Sequence, residues 1–153
     1  VDVLVNAAGL FVYKNLEDCM SDDFEEMFSI NVKTPFLLMK EFSKDMVQKG
    51  WGRIINIGST SSIEGYPETS LYCASKHALL GLSRSIYKEL KHHNVRTYCF
   101  SPGSVKTEMG RLVKGANYED FIDADELAEF IVNAVSFDSN MVTDEVTIHR
   151  LNI

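Results

Sequence analysis

Cysteine is scarce in this sequence. Cys19, Cys73 and Cys99 are unevenly spaced and no two form a Cys-x-x-Cys pair, which argues against a disulfide framework and against a zinc site. A reducing compartment, the cytoplasm, is the simplest expectation. His77, His92, His93 and His149 fall into no metal-ligand spacing, so they read as surface or packing residues. Positive charge is short as well: 15 Lys and Arg stand against 22 Asp and Glu, a net charge of −7. Phosphate backbones and anionic bilayers require a basic surface, so neither nucleic acid nor membrane is the expected partner. No apolar run approaches the roughly 18 residues of a membrane span, and Val1-Asp2-Val3-Leu4-Val5 reads as a strand rather than a signal sequence. The chain opens without a methionine, as though in mid-fold. Internal repeats, low-complexity tracts and interdomain linkers are missing, and 153 residues with 45% apolar and 24% charged side chains read as one globular domain.

What is present is an alternation of strands and helices. Val1 to Val5 is a short apolar run of the kind that suits a strand buried on both faces, ended by Asn6-Ala7-Ala8-Gly9. A loop to about Met20 leads to Ser21, whose acidic neighbours mark a helix start, and apolar spacing from Phe24 to Val47 continues that helix until Gly50. Gly52 to Ile57 is the second strand, Thr69 to about His93 the second long helix, and Val95 to Phe100 a third strand broken by Ser101-Pro102-Gly103. A loop with a short helix runs to about Ile122. A helix from Glu126 to Val135, started by Asp123 or Asp125, precedes a fourth strand, Glu145 to Ile148. Strands that alternate with helices imply parallel pairing and right-handed crossovers, hence an α/β doubly wound sheet.

In such a sheet ligands sit beyond the carboxyl ends of the strands. Asn6 and Gly9 follow the first strand, Ser59 the second, and Pro102-Gly103 the third, so these groups share one edge. Tyr72 and Lys76 stand four residues apart on one helix face, with Ser59 13 positions upstream of the tyrosine. An ammonium beside a phenol favours the phenolate, which makes the pair a candidate for proton exchange near neutral pH. Tyr-x-x-x-Lys alone is common. Ser59 and the strand-end motifs are what give it meaning.

Together these residues resemble the short-chain dehydrogenase/reductase family over nearly the whole chain. Asn6-Ala7-Ala8-Gly9 is similar to the family's Asn-Asn-Ala-Gly motif, departing from it at Ala7; Asn31, Ser59, Tyr72 and Lys76 match its catalytic tetrad; Pro102-Gly103-Ser104-Val105-Lys106-Thr107 matches its Pro-Gly-x-Val-x-Thr segment. The resemblance implies NAD or NADP as cofactor, bordered by Asn6, Ala7, Gly9, Ile57, Tyr72, Lys76, Pro102, Gly103, Val105 and Thr107. It implies Tyr72 as the acid and base, Lys76 lowering its pKa and holding the nicotinamide ribose, Ser59 orienting the substrate oxygen, and the Asn31 backbone carbonyl holding a relay water. On its own residues, Thr107 also reads as a cap for the helix that follows.

The resemblance also implies a small carbonyl or alcohol substrate, a 3-oxoacyl thioester or a broad range of carbonyls. The substrate pocket is expected from the loop after Gly9, from Ile63 to Leu71, and from a lid over Glu108 to Ile122. A homodimer or homotetramer is expected through a four-helix interface of the helix that carries Leu79, Leu80, Leu82, Ile86 and Leu90 and the helix before it. The family's glycine-rich βαβ region is missing, so residues 1–153 read as the C-terminal two-thirds of a Rossmann-like domain, with Val1 to Val5 an open edge and NAD indistinguishable from NADP. Asp144 to Arg150 departs from the family's glycine-rich close. The rival readings are an extended-branch epimerase, disfavoured by the short tail, and a non-catalytic homologue or truncated fragment serving in assembly or cofactor sensing.

Overall fold

The computed structural model describes residues 1–151, and it is a four-stranded parallel sheet in the order β1-β2-β3-β4. The strands are β1 (Val3–Asn6), β2 (Gly52–Ile57), β3 (Val95–Pro102) and β4 (Glu145–Ile148); the helices are α1 (Ser21–Phe28), α2 (Thr34–Lys49), α3 (Ser70–Leu90) and α4 (Ala124–Ser136). Alternate residues of β2 point to opposite layers. Ile54 packs with Leu4, Met39, Met46 and Val95 under α2 and α3, whereas Ile55 packs with Tyr98 and Phe100 under Ile131, Ala134 and Val135 of α4. Helices thus cover both faces of the sheet, as the sequence pattern implies. Full burial of a side chain such as Ile54, 0% exposed, contributes about 1.5–3 kcal/mol.

Three expectations change. The first is the long helix from Ser21 to Gly50, which forms as one run but widens into a π-helical turn over Ser29–Lys33. Pro35 has no N–H to offer the carbonyl of Asn31, four residues back, so a regular α-helix leaves that acceptor open here. The Thr34 N–H instead reaches the carbonyl of Ser29, five residues back. Gly50, at φ 68°, closes the run: its own N–H bonds Val47 O and the Trp51 N–H bonds Met46 O, the paired capping pattern that a left-handed glycine permits.

The second change is at β1, expected to be buried on both faces. Leu4 and Asn6 are buried, but Val3 and Val5 are 47% and 54% exposed, because α4 lies over the far side of the sheet. β1 is an edge strand with one open face. The third concerns α3: Leu79 and Leu80 are buried and Leu82, Ile86 and Leu90 pack on the core, so these residues are consumed by the sheet. The exposed apolar residues lie on the preceding run, the other helix of the expected interface, at Phe24, Phe36, Leu37 and Leu38. Smaller shifts follow the same logic of partners. β3 runs on to Pro102 because the Gly103 N–H continues the ladder to Ile148 O, and α4 starts at Ala124 because the Asp123 carboxylate caps the N–H groups of Asp125 and Glu126.

Candidate active site

The carboxyl ends of β1, β2 and β3 meet the first turns of α3. A chain of buried polar side chains fixes this junction. Asn6 donates to the side-chain oxygen of Asn56 at 2.7 Å, and Asn56 donates to Ser83 of α3 at 2.9 Å. Buried polar groups that find partners specify an arrangement, since a slip strands each of them without water. A second lock sits one turn closer to the site. The Asn31 carboxamide accepts from the Leu10 N–H at 2.8 Å and donates to Leu10 O and to Ser75 Oγ at 2.9 and 3.0 Å. Ser75 in turn donates to the backbone oxygen of Tyr72 at 2.7 Å. The loop after β1, the π turn and the helix bearing Tyr72 are therefore one hydrogen-bonded unit. Ser75 was not singled out from the sequence; its signal was a serine immediately before Lys76, on the Tyr72 side of the helix.

Ser59 lies just past β2. Its hydroxyl accepts from the Ser61 N–H at 3.1 Å and its own N–H donates to Ser62 at 3.1 Å, so a short capped turn holds the side chain in place. Gly58 before it leaves no room for a side chain: a Cβ there would stand 2.6 Å from Ser101 Oγ. Tyr72 is 7% exposed, and Phe11 packs edge-on against its ring at 4.7 Å. Burial pushes the phenol pKa up, and the Ser59 hydroxyl draws it part of the way back.

Lys76 corrects one expectation. Its Nζ stands 5.7 Å from the centre of the Tyr72 ring and donates to the carbonyl of Ile57 at 2.8 Å. Among the described residues it is the lysine, not the tyrosine, whose pKa comes down: burial of the ammonium lowers it to about 8. An ammonium has three donors, and that one bond to Ile57 leaves two. A Cβ built on Gly9 would lie 3.7 Å from Nζ and 3.6 Å from Asn31 Oδ1, so the Asn6 to Gly9 turn, Asn31 and Lys76 converge on one spot.

The remaining expected residues follow β1 and β3. Pro102 is buried at the end of β3, Gly103 is tied to Ile148, and the Val105 backbone bridges Ile122. Thr107 does cap the next turn, its hydroxyl accepting from the Gly110 N–H at 3.0 Å. Ala7 is exposed at the β1 edge. Beside this centre opens a cleft of about 730 Å³, lined among others by Phe11, Tyr13, Ser61, Tyr66, Lys114 and Arg150. Its volume suits a small-molecule site. Tyr13 lies in the loop after Gly9 and Lys114 in the lid, both expected to form the pocket, whereas Arg150 reads in the sequence only as the end of the departing close. The lid residues divide: Phe121 is 5% exposed and belongs to the core, Val113 lines the cleft, and Leu112 faces outward. Among the described residues no group of three His, Cys, Asp or Glu is placed to hold a metal, and no helix is long and apolar enough to cross a membrane.

Comparison with known proteins gives the family. Residues 1–117 match the short chain dehydrogenase family, and the chain belongs to that family. It is 36% identical over 124 residues to an uncharacterized oxidoreductase of Thermotoga maritima, covering 80% of this chain and 49% of that protein. It is 39% identical over 110 residues to the 3-oxoacyl acyl-carrier-protein reductase FabG of Rickettsia prowazekii, covering 71% of this chain and 45% of that one. The chain thus spans about half the length of these relatives. Among solved structures, 4-hydroxyisoleucine dehydrogenase complexed with NADH superposes with a TM-score of 0.85 at 28% identity, over 97% of this chain and 67% of that one. ElxO with NADP bound gives 0.85 at 27% identity, over 97% and 65%.

Proposed function

We propose that the protein carrying this chain interconverts a carbonyl and a secondary alcohol with a nicotinamide dinucleotide, and that Tyr72 is its acid and base. The observation that supports this best is the convergence of Ser59, Tyr72, Lys76 and the Gly9 turn at the carboxyl edge of the sheet, each held by its own local bonds. The bound dinucleotide supplies or accepts the hydride. Two unspent donors of Lys76, beside the glycine turn, fit the hydroxyls of a ribose; Asn6, Ala7, Gly9, Ile57, Pro102, Gly103, Val105 and Thr107 border the same place. Structural neighbours described with NADH and with NADP support a nicotinamide cofactor of either kind.

In reduction, Tyr72 donates its proton to the carbonyl oxygen, and Ser59 holds that oxygen by a hydrogen bond that strengthens as charge develops. Lys76, charged below about pH 8, stabilises the phenolate left behind. The phenolate regains its proton by way of Lys76, which is recharged in turn through a water on the Asn31 carbonyl, freed of its α-helical donor by Pro35, that links the lysine to solvent. The Asn31 side chain is fully occupied in holding the loop, so its backbone is the part left for chemistry.

The likeness to FabG supports a 3-oxoacyl thioester or a related carbonyl as substrate. The shares of the relatives that are matched support reading residues 1–153 as one Rossmann-like domain's C-terminal two-thirds. Free cysteines suit a cytoplasmic setting. The exposed Phe36, Leu37 and Leu38 on α2 support a homodimer or homotetramer, and a monomer in sedimentation analysis of the full-length protein refutes it. For the chemistry, Tyr72→Phe in that protein lowers NAD(P)H-dependent carbonyl reduction roughly 10²- to 10⁴-fold and leaves cofactor binding, read by nicotinamide fluorescence, unchanged. Undiminished turnover refutes the role of Tyr72.

A further inference from the structure

Three of the charged side chains facing the cleft have partners among its own residues. Lys114 stands 3.7 Å from a Glu68 carboxylate oxygen and its ammonium lies 4.6 Å from the centre of the Tyr13 ring. Glu64 accepts from the Tyr66 hydroxyl at 2.6 Å. Arg150 differs from both, for it lines the same cleft and, among the described residues, pairs with no carboxylate.

Arg150 is nevertheless positioned. Its stem lies along the Pro102–Gly103 turn, where a Cβ built on Gly103 would be 3.7 Å from Arg150 Cγ. Its guanidinium carbon sits 5.2 Å from the centre of the Phe121 ring, and that ring is anchored in the core, 5% exposed. Stacking occupies the flat face of a guanidinium and leaves its in-plane N–H donors for a planar anion such as a carboxylate. Among the described residues no carboxylate takes up those donors, so an arginine preset on the same cleft wall as Ser104 offers them to whatever occupies the cleft.

We propose that Arg150 anchors a carboxylate of the substrate, so that the cleft takes short oxo acids and hydroxy acids in preference to neutral ketones and alcohols. This rests on the dehydrogenase reading above. Lys114 pairs with Glu68 and Glu64 is bonded to Tyr66, which leaves Arg150 as the cation of the cleft that meets a substrate carboxylate.

The test is made on the full-length protein, with acetoacetate and its neutral methyl ester as probes and NADH or NADPH as reductant. Wild type is expected to prefer the acid. Arg150→Gln is expected to raise the KM for acetoacetate roughly 10- to 100-fold, the range of a lost charge-assisted bond, and to leave the ester within about twofold. Arg150→Lys, which keeps the charge and fills the same space, falls between. An equal effect on acid and ester, or a wild type that prefers the ester, overturns the proposal. So does an effect confined to acetoacetyl-coenzyme A, which assigns the arginine to a phosphate of that carrier.

Failure of the dehydrogenase reading looks different, since wild type then turns over none of these compounds. In that case calorimetric titration with acetoacetate decides the anion site alone. Binding to wild type that Arg150→Gln abolishes supports it, and equal or absent binding overturns it.

Discussion

The two ends of the same sheet both bury cations, and they treat them in opposite ways. At the amino ends, Arg53 and Arg96 are register partners on β2 and β3, 1% and 8% exposed. Arg53 donates to Gly52 O, Asn94 O and the Asp138 carboxylate, and stacks on Trp51; Arg96 donates to Phe137 O, Met141 O and Ser139 O. At the carboxyl ends, Lys76 has a single carbonyl. Each arginine makes three hydrogen bonds, though the Arg53 Nε has none, and together they pin the segment between α4 and β4 to the sheet. The lysine is under-coordinated, and burial draws its pKa to about 8. A buried charge with unspent donors costs stability and is the better candidate for function.

The largest effect expected from this contrast is at Lys76. Lys76→Met in the full-length protein is expected to lower turnover on the order of 10²- to 10³-fold, with no loss of fold, because Met fills the stem's space without a charge to desolvate. Stability carries the complementary signature. The native-state pKa of Lys76 is lowered to about 8 from 10.5, so between these values the unfolded chain binds more protons and stability rises with pH. Below about pH 8 both states are charged and the full burial penalty is felt. Wild type is therefore expected to gain on Lys76→Met as pH rises from 8 to 10, by up to about 3 kcal/mol, measured by urea unfolding at each pH. A constant difference between the two proteins across that range refutes the under-coordinated lysine.

Arg53 is expected to show the reverse. Arg53→Met removes three hydrogen bonds and leaves the carbonyls of Gly52 and Asn94 without that donor, a loss of about 2 kcal/mol. Its turnover stays near that of wild type, because no part of the arginine approaches Ser59, Tyr72 or Lys76. A stable variant with impaired turnover erases the distinction between the two ends.

The sequence showed one end far better than the other. β2 and β4 form over their expected residues, and Ser59, Tyr72, Lys76 and Gly9 gather as expected, because each is set by local spacing and by a parallel sheet's habit of binding at its carboxyl edge. Arg53 and Arg96 read as ordinary strand residues, since their burial depends on a loop that folds back from some 40 residues or more away in sequence. The π turn at Asn31 was hidden for a related reason. Propensity reads Ser21 to Gly50 as uninterrupted, and only Pro35, which offers no N–H to the carbonyl of Asn31 four residues back, reveals the break. Arg150 follows the last strand, and its role depends on Phe121 and Gly103, which tertiary packing alone brings beside it.

The smallest predicted effect separates the salt bridge at the amino end from its hydrogen bonds. Asp138 accepts from Arg53 at 2.6 Å and lies 3.7 Å from Arg96, yet its side chain is 60% exposed. A carboxylate so open to water is screened and gains little from its partners. Asp138→Asn keeps an oxygen in place to accept from Arg53, and the two arginines retain their backbone carbonyls. The variant is expected to unfold within about 1 kcal/mol of wild type, with the gap shrinking as salt is added. If it instead loses as much as Arg53→Met, and salt makes no difference, then Asp138 neutralises a charge that the backbone carbonyls alone do not satisfy. The amino end would then depend on a single ionic partner, as the carboxyl end depends on a single carbonyl.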